Sequence, residues 1–299
     1  MIVNETGRRT VTVRYRDSQT LERKITKLAG FPYLFVEGDS PDPAYRGLYG
    51  ESLEKITFPS EWDRREFAKN NETWEANVPY VNQMLADRVL AGDMPFENYE
   101  HRVWYLDGEW KTESGEITML TVHDSYTGKL LTWVQHPEIP AGAIKSMPCK
   151  NHPDGIKEIT FDTPALAFKD ERSLLLHFAK HMNKHDPDII AGWYLVSADI
   201  YQICTRMRHC GIDPKIMSPY NRHVHKYNWT DKNWVQPIPG RICFDLMVGF
   251  KKLWTLKNGQ LAGQGLDAVA ELALGERKVP LEDGYDTYYT DIGTYTDYN

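Results

Sequence analysis

The sequence predicts an α/β protein, a mixed sheet covered by helices and preceded by a smaller mixed α+β domain. Three observations carry this. After residue 100, short apolar runs alternate with amphipathic stretches of helical period, the rhythm of strands and covering helices. Before residue 100 the pattern is looser, and Gly92-Asp93-Met94-Pro95 interrupts it, which puts a domain boundary near residue 100 and divides the chain into 1–100 and 101–299. Hydrophobic residues make up 41% and charged residues 26% of the 299, the balance of a chain that packs a core.

In the first part, Thr10-Val11-Thr12-Val13-Arg14-Tyr15 alternates as a strand with one wet face. Phe31-Pro32-Tyr33-Leu34-Phe35-Val36 reads as a second strand, closed by the turn-rich Glu37-Gly38-Asp39-Ser40-Pro41. Helices are expected over 62–67, begun by Ser60, and over 81–90, where Val81, Leu85 and Val89 recur every four residues.

In the second part, Val103-Trp104-Tyr105-Leu106 runs into Asp107. Ile117 to Val122 and Leu130 to Val134 form a hairpin around Ser125-Tyr126-Thr127-Gly128. Asp170 caps a helix over 171–184 with an apolar stripe of Leu175, Phe178 and Met182, and Asp186-Pro187 ends it. Ile189-Ile190-Ala191-Gly192-Trp193 is a buried strand leading to a helix over 199–209, closed by Gly211. Arg241 to Leu246 is a further strand running into helical sequence.

Composition excludes some functions. A formal net charge of −7 argues against a free-standing protein that grips nucleic acid by phosphate neutralisation alone, although it permits acidic residues that hold metals against a phosphodiester. No apolar run approaches the roughly 18 residues of a membrane span, and the start has no signal-peptide layout. Cys149, Cys204, Cys210 and Cys243 lack Cys-x-x-Cys spacing and are expected to be free thiols in a reducing cytoplasm.

Two acidic features carry the chemistry. In a strand, Asp107 and Glu109 point to one face and raise each other's pKa unless a cation intervenes; magnesium or manganese, which take oxygen ligands, would serve. By residue type alone, most such pairs are solvated strand ends. Asp199, at the head of a helix after a buried strand, is either a helix cap or a third carboxylate of the same site.

Asp186-Pro187-Asp188-Ile189-Ile190-Ala191-Gly192-Trp193, continuing to Asp199, resembles the second exonuclease motif of family B DNA polymerases. Asp107-Gly108-Glu109 then stands where the first motif belongs. Thr73 to Val81 resembles the segment before that domain, while Pro239-Gly240-Arg241, Phe244-Asp245-Leu246 and the stretch from Leu266 to Lys278 resemble the sequence before the third motif. The resemblance implies an N-terminal domain followed by an RNase H-like 3′→5′ exonuclease domain that holds two Mg2+ or Mn2+ ions through Asp107, Glu109 and Asp199. It implies DNA as substrate, a single-stranded 3′ end or a primer-template, and a polymerase palm and thumb as partner or remainder. Tyr298 would open the third motif and orient the attacking water, its Asp being expected at position 302, past the last residue here. A fragment of a polymerase, from a split gene or a shortened chain, is therefore expected, with a viral or phage replication system as its setting. The alternative is a catalytically silent DNA-binding subunit that assembles with a separate polymerase chain. This sequence departs from the family at Tyr194, where Asn is usual, at Ala198, where Phe is usual, and at Trp110, where Thr is usual.

Overall fold

The structure, a computed structural model, describes residues 2–5 (backbone only), 10–39, 45–93, 100–149, 157–222, 224 and 236–277. The chain falls into two compact units, Met1–Glu100 and His101–Asn299.

In the first unit, β1 (Ile2–Glu5), β2 (Thr10–Arg16) and β3 (Arg23–Ala29) form an antiparallel sheet in that order. β4 (Tyr33–Glu37) and β5 (Leu53–Thr57) form a separate antiparallel pair. Two helices follow, α1 (Glu61–Asn70) and α2 (Tyr80–Leu90). Ser60 caps α1 by accepting from the Asp63 N–H, as its position predicts. Val11 and Val13 of β2 pack with Leu28, Tyr80 and Met84, which joins α2 to the sheet. Beneath α1 the buried Arg64 donates to the carbonyls of Tyr33 and Val78 and to the Glu61 carboxylate at 2.6 Å.

The second unit is built on a seven-stranded sheet. Its strands are β6 (Val103–Trp110), β7 (Ile117–Asp124), β8 (Lys129–Val134), β9 (Gly142–Pro148), β10 (Glu158–Ala167), β11 (Ile189–Gly192) and β12 (Ile242–Asp245), in the order β12-β11-β6-β7-β8-β10-β9. β12, β11 and β6 run parallel, while β6, β7 and β8 form an antiparallel meander. The hairpin of β9 and β10 joins the far edge, with β10 parallel to β8. Four helices complete the unit: α3 (Glu171–His185), α4 (Asp199–His209), α5 (Leu246–Asn258) and α6 (Leu266–Leu274).

Strand alternation sorts the side chains onto two faces. Trp104 and Leu106 of β6, Leu120 and Val122 of β7, Ile190 of β11 and Cys243 of β12 meet the stripes of α3 and α4, including Leu175, Phe178, Met182, Ile203 and Met207. Met119 and Val134, on the opposite face, pack instead with Ile139, Met147 and Ala167. α5 lies at the β11–β12 end, where Trp193 meets Phe250 and Phe250 stacks on Trp254.

Glu171 ties α3, α4 and the sheet together. It accepts from the Ile117 N–H at 2.8 Å and takes both ends of the Arg206 guanidinium, at 2.8 and 2.6 Å. Burial alone would raise its pKa, but Arg206, the Ile117 N–H and Cys210 outweigh burial and hold it below the usual range.

The expected elements of the second unit are present, with corrections. β6 does not end at Asp107 but continues through Asp107-Gly108-Glu109 to Trp110, paired with β7 along its length. β9, β10 and α6 lie where no element is expected; β10 carries Pro164 and a register shift between Thr160 and Ala165, which hides its alternation. None of the four cysteines forms a disulfide. Among the described residues, no helix is long and apolar enough to cross a membrane.

Candidate active site

Asp107, Gly108 and Glu109 lie on the part of β6 that extends past β11, whose pairing with β6 stops at Tyr105. Past that point the β11 side of β6 is open, and the chain leaving β11 folds over it to start α4. Gly192 permits this, because a Cβ there would stand 2.6 Å from the Leu106 carbonyl oxygen.

Asp199 arrives as the first residue of α4 and not as its cap. The N-cap is Ala198, whose methyl cannot accept a hydrogen bond, and no side-chain cap bond forms. The Asp199 carboxylate is buried, 4% exposed, and is directed at β6: a Cβ on Gly108 would lie 3.3 Å from its Oδ1. The glycine between the two acids is therefore part of the site, since it leaves the room Asp199 occupies. That feature stands in the sequence but has no meaning until Asp199 is known to approach it.

The electrostatics follow from this placement. Burial, then the neighbouring Asp107, push the Asp199 pKa up to about 8, with Glu109 adding to the rise; the N–H groups of Asp199 and Gly108 oppose it. The structure thus brings the three predicted acids into one electrostatic neighbourhood. A hard divalent cation suits this all-oxygen donor set in its chemistry. The side chains are not gathered as a finished cage, for among the described residues no three His, Cys, Asp or Glu side chains stand close enough to hold a metal ion. Tyr298 lies outside the described residues.

A raised carboxyl pKa has a definite thermodynamic sign. Between the unfolded value near 4 and about 8, the folded chain binds the extra proton, so this group's contribution to stability declines as pH rises through that window. Asp199→Asn mimics the protonated form. It should therefore be more stable than the parent at pH 8, by on the order of 1–3 kcal/mol, with the difference vanishing near pH 4. Urea denaturation of both proteins across that range measures it.

The motif around Asp199 is held by two arginines. Arg102 donates to both carboxylate oxygens of the buried Asp124, at 3.0 and 2.5 Å, and to the His185 carbonyl, while its own N–H reaches the Asp188 carboxylate. Arg241 donates to Asp186 at 2.8 Å and to the Pro187 carbonyl at 2.7 Å. Asp186 and Asp188 thus accept from arginines that fix the strand's entry. Past the strand, Tyr194 has φ +60°, a region a bulky residue rarely adopts and where Asn, usual in the resembling family, sits with less strain.

A mixed sheet with helices packed on it and acidic side chains where the first strand runs past its parallel neighbour is the architecture of an RNase H-like exonuclease fold. The profile of the DNA polymerase family B exonuclease domain matches residues 111–269, more than half of the chain, and the chain belongs to that family. The matched stretch contains Asp199 but begins after Asp107 and Glu109. No curated protein matches the sequence.

Proposed function

We propose that this chain is the N-terminal and proofreading part of a family B DNA polymerase, removing nucleotides from DNA 3′ ends by 3′→5′ hydrolysis. The units 1–100 and 101–299 are then its N-terminal domain and its exonuclease domain. The observation that carries the site assignment is the buried Asp199 carboxylate against Gly108, with its pKa raised by that burial, then by Asp107 and Glu109.

Asp107, Glu109 and Asp199 would hold the two Mg2+ or Mn2+ ions. When bound, such ions neutralise the phosphodiester and lower the pKa of water. The chain's own part is to present ionised carboxylates. Asp199 has to give up its proton, which burial and then its acidic neighbours retain to about pH 8 in the absence of a cation, and the Gly108 N–H supports the ionised form. Tyr298 would orient the attacking water. An unpaired 3′ end, which a mismatch provides at low cost, is the form of substrate that reaches such a site. Replication in a host cytoplasm, of viral or phage origin, fits this role.

A second reading is favoured by one observation, the lack of a finished three-residue metal cluster among the described residues. In it the chain is a silent DNA-binding subunit that acquires activity, or only architecture, from a separate polymerase chain. Incubating the 299-residue chain with 3′-ended single-stranded DNA and manganese or magnesium separates the two. Release of mononucleotides supports the nuclease, whereas DNA binding without release in either metal supports the silent subunit.

A further inference from the structure

Strand register places a row of side chains across one face of the sheet, beside Asp107, exposed on either side of the buried Ala191. Ala191 of β11 pairs with Tyr105 of β6 on one side and with Phe244 of β12 on the other. Tyr105 pairs in turn with His123 of β7, and His123 with Leu130 of β8. Paired residues share a face, so Phe244, Ala191, Tyr105, His123 and Leu130 form one line over five strands. Phe244 is 48%, Tyr105 45% and Leu130 57% exposed. His123 is exposed too, and its ring centroid lies 6.0 Å from that of Tyr105.

This line is bounded on both sides. Toward β12 it meets α5, where Gly249 leaves room for the Phe244 ring. One step further along the strands lies the row Asp107, Thr121, Thr132, whose hydroxyls stand 3.5 Å apart. Beyond it Met119 and Val134 are covered. Tyr105 and Asp107 are two residues apart on one face, roughly 7 Å along the strand. A ring-bearing strip therefore runs alongside the acidic row.

We infer that this strip is the seat of the single-stranded DNA segment adjoining the scissile phosphate, with Tyr105 and His123 stacking on its bases. The inference rests on the nuclease reading and specifies which face the strand occupies. Three features select a nucleic acid as occupant. The strip is continuous with the Asp107 row; its centre offers flat rings, which every base can stack on; and the chain belongs to an exonuclease family whose substrate is DNA. With a formal charge of −7, stacking has to carry more of the affinity than phosphate neutralisation does. Tyr105 and His123 are thus positioning residues for the substrate strand.

The test measures binding apart from hydrolysis. The full chain is titrated against a 5′-fluorescein oligodeoxythymidylate by anisotropy, with calcium in place of magnesium. Tyr105→Ala should weaken binding roughly tenfold, and Tyr105→Ala with His123→Ala further, since a base–aromatic stack is worth that order of change. Tyr105→Phe, which keeps the ring, should bind as the parent does. Tyr201→Ala, an exposed tyrosine on α4 behind the sheet, should leave binding unchanged. Tyr105 should also photo-cross-link to 5-iododeoxyuridine placed near the 3′ end. Equal affinities of the parent and Tyr105→Ala overturn the strip while leaving the nuclease reading intact, as does a strip protected from solvent exchange by a protein partner and not by DNA. Weaker binding by Tyr105→Ala together with no nucleotide release by the parent supports the strip and overturns the nuclease reading.

Discussion

Asp107→Ala is expected to abolish magnesium- or manganese-dependent release of nucleotides from single-stranded 3′ ends. Damage to groups that merely orient a metal's ligands costs about 10–100-fold, so removal of a ligand itself should exceed about 100-fold. Asp199→Ala should do the same. The two variants differ in a way that identifies the cause. Asp107 stands on the exposed side of β6, so at pH 5, where Asp199 keeps its proton, its loss should shift stability by no more than about 0.5 kcal/mol. It also removes one of the charges that keep Asp199 protonated, so the Asp199 pKa should fall from about 8 toward the ordinary range. Carboxyl NMR titration follows that fall. Undiminished nucleotide release in both variants would sink the site assignment.

The second large effect concerns Arg241. Its guanidinium, 2% exposed as a residue, donates to the carbonyls of Met217 and Pro187, to the Asn183 side chain at 2.9 Å and to the Asp186 carboxylate. It joins the end of α3, the Asp186-Pro187-Asp188 entry to β11 and the turn at 214–217. Arg241→Ala removes a buried donor that serves the half-buried Asp186 carboxylate and several carbonyls, and should cost about 3–5 kcal/mol. In a unit of this size that lowers the melting temperature by roughly 6–20 °C. Arg241→Lys should recover only part of the loss, since one ammonium cannot reach partners fixed around a planar fork. Because β11 aims the chain that carries Asp199, nuclease activity should fall with stability in both variants. A melting temperature within a degree or two of the parent would show that Arg241 does not hold this segment.

Much of the second unit is legible in its sequence because its signals are local. Leu175, Phe178 and Met182 stripe α3, Asp170 caps it by accepting from the Ser173 N–H, and Asp186 ends it in a left-handed turn. β9 and β10 are not legible, because the pattern of β10 is broken by Pro164 and by a register shift that only its partner strand reveals. The acidic residues can be picked out by type and order, but the strip through Tyr105, His123 and Leu130 cannot. Its members lie on three strands, and each alone is an ordinary exposed side chain.

From the amino-acid order alone come the alternation of strands and helices, the break near residue 100, and the identity of Asp107, Glu109 and Asp199 as the acids to watch. The first two are properties of short segments, set by side-chain period, capping and turn chemistry, whereas the acids are singled out by the resemblance of their motifs to the family. Only the tertiary structure decides that Asp199 is buried over Gly108 instead of capping α4, and that its proton is held by that burial and by Asp107. Burial and charge proximity depend on distances between residues about ninety positions apart, and no local pattern encodes such distances.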